Sequence, residues 1–428
     1  MDALAANGVR MVNAFTPSPV CSPARACFFT GRYPSQHGIH DWLKERDPVI
    51  GARDWMAEET NLAAQLSGAG YDTALFGKWH CGRGVHPQPG FDEWFSIGGP
   101  QGGHQGPHTY HHNGKAVELD GFKDEIVTDY AVDYIRNRST AHPMFCFVGH
   151  IATHSPWRDH PERIVAPYRD ATFADIPNDP AYAHAPPPGK ILTPHEKDER
   201  ELLAQYYASV THIDEQIGKL LAALDERGMR ENTLIVYTSD HGLNFGHHQV
   251  WGKGNGTRPL NMLDESIRIP MILSLPSGAK GDHSQEFVDH CDLYQTLLDV
   301  AGMEPESAHD GTEYPGRSFA PLLQGQRVSD WRREQFCEYG PARMVRTETH
   351  KLLLRHPDGP HELFDLQADP RESTNVYDQP EYAETVVALT LRIENHFAAY
   401  DALPTSGLRV AERPRHNSEE AWLMEGWG

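Results

Sequence analysis

The chain has 428 residues, and 38 basic against 60 acidic side chains give it a formal charge of -22 at pH 7. That length exceeds one small core and predicts two or three domains, or one large α/β domain with an appendage, while the charge argues against nucleic acid or an anionic membrane as a partner of the whole surface. With 39% hydrophobic and 23% charged residues, and no apolar run of about 18 residues, the composition is that of an ordinary globular enzyme without a membrane span.

Residues 1–10 lack the basic start, apolar centre and cleavage site of a signal peptide, so the chain as it stands reads as cytoplasmic, with any leader upstream of Met1 left open. Six cysteines, Cys21, Cys27, Cys81, Cys146, Cys291 and Cys337, stand singly without zinc-type pairing, and free thiols are expected. Leu4, Ala5 and Ala6 before Asn7-Gly8 predict the end of a helix, and residues 9–15 a short strand. Next comes Cys21-Ser22-Pro23-Ala24-Arg25, followed by Ala26-Cys27-Phe28-Phe29-Thr30-Gly31-Arg32. Read by itself this is also an ordinary helix start, since proline suits a first turn and cysteine is commonly buried.

A helix over residues 60–69, capped by Thr60 or Asn61 and stopped by Gly70, leads into a strand over 71–77 that ends at Lys78-Trp79-His80. The carboxyl ends of strands in open α/β sheets are where ligand groups collect, although either residue alone reads as a surface side chain. Residues 98–114 are rich in glycine and histidine, with His104, His108, His111 and His112, and read as a loop near the pocket. A helix over 124–138 and a strand over 144–148 follow, the latter running into His150 and His154-Ser155-Pro156. Prolines and charges over 157–193 predict a long excursion with little regular structure, a candidate rim for the site. Residues 194–228 predict a long packing helix with a stripe of Leu203, Tyr206, Tyr207, Val210, Ile213, Ile217, Leu220, Leu221 and Leu224. The apolar run 232–239 reads as a buried parallel strand ending in Asp240-His241, a pair well placed to bind a divalent cation. Later strands are predicted at 344–347, 351–355 and 362–366, then a helix over 382–397. The tail beyond Leu403 carries no readable chemistry.

In order, the Cys21 block with its Thr30-Gly31-Arg32, Gly77-Lys78-Trp79-His80, Gly90-Phe91-Asp92-Glu93-Trp94, His154 before Ser155-Pro156, Asp240-His241, and Trp251-Gly252-Lys253 resemble the Cys-type sulfatases of the alkaline-phosphatase superfamily over residues 1–375. The resemblance implies an α/β fold, a large mixed and mostly parallel sheet sandwiched by helices, with a smaller C-terminal α+β domain carrying an antiparallel sheet. The corresponding division is 1–325 and 326–428. It implies hydrolysis of a sulfate ester, with Cys21 oxidised by a formylglycine-generating maturation enzyme to an aldehyde whose hydrate is the nucleophile. A diol can take the sulfuryl group on one hydroxyl and expel sulfate through the other, which splits one hard displacement into two easier steps.

By the same resemblance Arg25 holds the diol, Lys78 and Lys253 grip the sulfate oxygens, His80 takes a proton as sulfate leaves, and His154 protonates the departing alcohol, with His150 the weaker candidate. Asp240, His241 and the modified Cys21 are the implied metal ligands, for calcium first and magnesium or manganese as alternatives. A small-molecule or carbohydrate sulfate ester is the implied substrate. Sulfatases of this kind carry, upstream of a helix like that at Leu4 to Ala6, a strand ending in a metal-binding aspartate pair that this sequence lacks. Either Met1 is internal to a longer natural chain, or the protein is a truncated, metal-poor relative that only binds an anionic ligand. A phosphoester or phosphonate monoester hydrolase of the same superfamily is the alternative activity.

Overall fold

In the computed structural model, residues 1–97, 102–187, 198–424 and 426–427 are described. Strand β1 (Val9–Phe15) alternates short apolar and polar residues at its start and ends on buried Ala14 and Phe15, as an inner strand should. It lies between two strands from far along the chain: β11 (Asp282–Asp289), which it pairs in parallel, and β10 (Met271–Ser274), which it pairs antiparallel. Beyond β10 lies β7 (Ile235–Thr238), completing a sheet in the order β11-β1-β10-β7.

A second sheet runs β5-β4-β3-β2-β6. Strands β2 (Asp72–Gly77), β3 (Glu93–Ile97) and the edge strand β6 (Met144–Gly149) are parallel, whereas β4 (Gln105–His112) and β5 (Lys115–Phe122) form an antiparallel hairpin on the far side. The two sheets end on β6 and β7, and both ends rest on one apolar cluster. Met144 of β6 and Ile235 of β7 pack against Val132 and Ile135 of helix Lys123–Asn137 and Ala223 and Leu224 of helix Glu199–Glu226. Helices cover the sheets and the layer is mixed α/β.

The expected loop at 98–114 is corrected for its described part. Residues 98–101 lie outside the described residues, and 105–112 are a strand whose buried His108 and Tyr110 recur at period two, a periodicity hidden by the glycine and histidine content. Within the excursion, helix Glu162–Arg169 buries Ile164 and Val165, and residues 188–193 are not described. The long helix begins at Glu199, capped by Asp198; its expected start at Pro194 lies outside the described residues. Its buried face also differs from the expected stripe. Ile213 and Leu224 are buried as read, but Leu202, Ala204, Gln205, Ala208, His212 and Gln216 supply most of the rest, because helices Lys123–Asn137 and Glu162–Arg169 both pack against it.

A short hairpin, β8 (Asn244–Phe245) with β9 (Trp251–Gly252), carries Lys253 out of its end. The C-terminal sheet is the antiparallel meander β12 (Glu334–Tyr339), β13 (Ala342–Thr347), β14 (His350–Arg355) and β15 (Glu362–Asp365). Leu389, Ile393 and Phe397 of helix Ala383–Phe397 cover it, in a cluster shared with Cys27 and Tyr33 at the far end of the Cys21 helix. All six cysteines are free thiols, and no described helix is long and apolar enough to cross a membrane.

Candidate active site

Four chain segments leave strand ends and meet. The loop after β1 delivers Cys21 as the first residue of helix Cys21–Thr30, with Val20 still extended before it. The exit of β2 delivers Lys78 and His80, the exit of β6 the segment with His154, and the exit of β7 Asp240 and His241. The carboxyl ends of strands thus converge on one point, as ligand sites of α/β sheets do.

At that point Cys21 is buried, 1% exposed. Lys253 Nζ donates to its Sγ at 2.7 Å, and His241 Nε2 lies 3.3 Å away. Burial by itself would raise the thiol pKa, but the charges of Lys253, Lys78 and His241 outweigh it and, with His154 close by, hold the pKa well below the ordinary thiol value. Position 21 is therefore a place built for negative charge inside a strongly acidic protein. Lys78 is pulled the other way: burial lowers its pKa, opposed by the nearby Cys21 and reinforced by Arg25.

Asp240 Oδ2 accepts from Arg25 Nε at 2.8 Å, and its Oδ1 accepts from the His241 N–H at 3.1 Å. Burial pushes this carboxyl up, yet His241 and Arg25 prevail and hold it well below the usual carboxylate range. The same Arg25 donates through Nη1 to the Lys78 carbonyl at 2.6 Å, locking the β2 exit to the Cys21 helix. His241 Nδ1 lies 2.7 Å from the Gly242 carbonyl. A carbonyl only accepts, which assigns a ring proton to Nδ1 and turns Nε2 toward Cys21. Cys21 Sγ, an Asp240 oxygen and a His241 nitrogen lie within 4.8 Å of one another, the group of donors among the described residues that could hold a metal ion. An ionised carboxylate, an imidazole Nε2 turned toward Cys21 and an anionic position 21 fit a divalent cation.

Lys253 is fixed from behind. The Gly254 N–H donates to the Pro19 carbonyl at 3.0 Å, and a Cβ on Gly254 would stand 2.5 Å from Pro19 Cγ, so only glycine lets the strand exit approach the Cys21 loop. Asn261 Nδ2 holds the Lys253 carbonyl at 3.1 Å.

The two histidines are held by carbonyls. His80 Nε2 donates to the Leu43 carbonyl at 2.9 Å, which leaves Nδ1 bare; that atom is buried and has no hydrogen-bond partner. His154 is the reverse: Nδ1 lies 2.7 Å from the Ser155 carbonyl, so Nε2 is bare. Burial and the charge of Lys253 depress the His154 pKa to about 4, and because the side chain reaches the surface, the lysine charge is the firmer of these causes. Its segment is anchored by Asp124, whose Oδ1 accepts the Ile151 N–H at 2.6 Å, and by His104 Nε2 on the His154 carbonyl at 2.8 Å. His150 instead bonds Thr128 Oγ1 at 2.9 Å.

Cys21, Arg25, Lys78, His154, Asp240, His241 and Lys253 are thus brought together, and His80 joins through Leu43. Leu43 and Asp124 carry no sequence signal for the site, whereas His104 stands in the glycine- and histidine-rich run read as lying near it. Leu43 acts only through its backbone, which no side-chain pattern signals.

Residues 1–303 match the family model described as Sulfatase, and residues 260–398 match that of the C-terminal part of N-sulphoglucosamine sulphohydrolase. The chain belongs to the sulfatase family. The activity of that family is sulfuric ester hydrolysis. Among curated relatives, the sulfatase is 28% identical to an N-acetylglucosamine-6-O-sulfatase of Bacteroides thetaiotaomicron over 465 aligned residues, covering 90% of this chain and 79% of the relative. Among solved structures it resembles one described with its substrate D-glucosamine-2-N,6-O-disulfate, at TM-score 0.76 and 25% identity, covering 95% of this chain and 93% of the other. The fold is shared with a phosphonate monoester hydrolase of Agrobacterium radiobacter, at TM-score 0.70 and 22% identity over 93% of this chain and 90% of that one.

Proposed function

We propose that this sulfatase hydrolyses a carbohydrate or small-molecule sulfate ester to an alcohol and sulfate, with position 21 as the nucleophile. The observation that carries the reading is the setting of Cys21: Sγ within 2.7 Å of Lys253 Nζ and 3.3 Å of His241 Nε2, with the Asp240–Arg25 pair beside it. Cys21, converted by a maturation enzyme to formylglycine, supplies as the hydrate a hydroxyl that takes the sulfuryl group and a second that releases it. Asp240, His241 and position 21 would hold a divalent metal, calcium first and magnesium or manganese as alternatives, which would supply a fixed positive charge.

The chain's own residues do the rest. Lys78 and Lys253 bind the sulfate oxygens, where negative charge develops and pre-placed cations are most effective. Arg25 keeps Asp240 ionised and pins Lys78 in place. His80 accepts at Nδ1 the proton lost as sulfate departs, and His154 delivers one from Nε2 to the leaving alcohol oxygen. With its pKa near 4 in the free protein, His154 rests neutral, and an anion seated between the lysines raises its proton affinity when the acid is needed. We also place the domain division at 325/326, supported by the meander β12–β15 beginning at Glu334.

The substrate class is supported by the relatives whose names and complexes refer to sulfated glucosamine; phosphonate hydrolysis is the competing activity, supported by fold likeness. Initial rates on glucosamine 6-sulfate, an aryl sulfate, an aryl phosphate and a phosphonate monoester decide between them. Sulfate esters should be the faster substrates by kcat/KM. Faster phosphonate cleavage would reverse the assignment, and no turnover of any ester by mature protein would leave only anion binding.

A further inference from the structure

Leu43 is bonded on both sides to the reaction centre. Its N–H donates to Ser22 Oγ at 3.0 Å, beside Cys21, and its carbonyl accepts from His80 Nε2. Yet residues 38–44 form neither helix nor strand, and most of them are buried. Buried backbone outside a ladder must find partners elsewhere, and here the partners come from the end of the chain.

The His40 N–H donates to His416 Nε2 at 3.0 Å, and the Lys44 N–H donates to the His416 carbonyl at 2.9 Å. Asn417 Nδ2 donates to the Trp42 carbonyl at 2.9 Å, and the Ala421 N–H to Asp41 Oδ2 at 3.2 Å. Asp41 Oδ1 also accepts the Tyr339 hydroxyl at 2.6 Å, which ties the same loop to the C-terminal sheet. His416 is itself set: its Nδ1 lies 3.1 Å from Glu420 Oε1, and its ring stacks on Trp55 at 4.9 Å. Donation from Nδ1 to that carboxylate leaves Nε2 as the acceptor that the His40 N–H requires. His416 and Asn417 are 0% and 1% exposed, so this tail is part of the interior.

We propose that the C-terminal segment 405–421 is a positioning element for His80. By holding residues 40–44 it fixes where the Leu43 carbonyl stands, and with it which ring nitrogen of His80 keeps the proton and which is bare. The inference rests on the reading of His80 as the group that accepts the proton when sulfate leaves. The tail touches no reacting atom, and its action passes through the loop and one backbone carbonyl.

A double-mutant cycle joined to histidine-labelled 15N NMR tests it on the full-length mature enzyme. Asn417→Ala removes one bond to the loop. It should lower kcat on a sulfate ester about tenfold while KM moves less than about twofold, the cost of a small displacement of a working group. In a His80→Ala background the same change should cost nothing further, because the group it positions is already gone. His416→Leu should behave like Asn417→Ala, and His416→Gln, which retains an acceptor for the His40 N–H, should recover most of the rate. Arg409→Ala, on an exposed ion pair of the same tail, serves as the control with no loss. In the NMR spectrum His80 should carry its proton on Nε2 in the parent protein and become a mixture of tautomers in Asn417→Ala. An unchanged tautomer, or an equal loss of kcat in both backgrounds, would overturn the inference. Full activity in His80→Ala combined with a shifted tautomer in Asn417→Ala would refute the proton-acceptor role of His80 and leave the positioning standing.

Discussion

The floor of the site and the two histidines beside it are fixed by different means. On the floor, charged side chains hold one another: Arg25 grips Asp240 and the Lys78 carbonyl, and Lys253 faces Cys21 directly. Each histidine instead hangs from a backbone oxygen, Leu43 for His80 and Ser155 for His154, and the two present opposite ring nitrogens. The floor is thus made by electrostatics that a substitution removes at once. The histidines are made by loop geometry, and their contributions can be lost without any change in charge.

Position 21 breaks the comparison most completely. Cys21→Ala should abolish sulfate release, by at least about 10³-fold, measured as initial rates with the fold checked by circular dichroism. Lys78→Ala and Lys253→Ala should follow, each lowering kcat by about 10²–10³-fold, the loss found for removing one pre-placed charge-stabilising group. In protein left unconverted at Cys21, Lys253→Met should also raise the thiol pKa, seen as slower iodoacetamide alkylation at neutral pH, because Lys253 is the largest influence lowering it.

The histidines should separate from each other by leaving group. His154→Ala should cost about 10²-fold on a sugar sulfate, whose alcohol needs a proton, and far less on an aryl sulfate with an acidic phenol. His80→Ala should cost a similar factor on both, since the departure of sulfate is common to the two substrates. Equal losses for both variants on both substrates would erase the distinction between their roles.

The smallest effect concerns the whole molecule. Burial, reinforced by neighbouring positive groups, depresses the pKa values of His40, His160 and His396 to about 3. The unfolded chain takes up these protons near pH 6.5 and the folded one near pH 3, so more protons are bound unfolded within that window. Stability should therefore fall as pH drops from about 6.5 toward about 3. Urea unfolding across that range checks the sign; a stability that rises toward pH 4 would show these rings to be paired with carboxylates.

The same contrast explains what the sequence made legible. Lys78, Asp240 and His241 follow strand-like runs, and Lys253 follows a recognisable tryptophan-glycine pair, so chemistry-bearing residues announce the floor. The support for the histidines did not show. Leu43 offers only a carbonyl, 37 residues from His80, and His104 reaches the His154 carbonyl across 50 residues. The hairpin β4–β5 was hidden because its glycines and histidines carry weak strand signals, and the tail past Leu403 because its value lies in burial against residues 40–44 rather than in any motif.

Position 21 is best tested by measuring sulfate release and the mass of the Cys21 peptide on one preparation, fractionated by degree of conversion. The rate should rise in proportion to the fraction of residue 21 present as the aldehyde and vanish in the unconverted fraction. Sulfate release that persists with the thiol intact, or is absent from fully converted protein, would contradict the account.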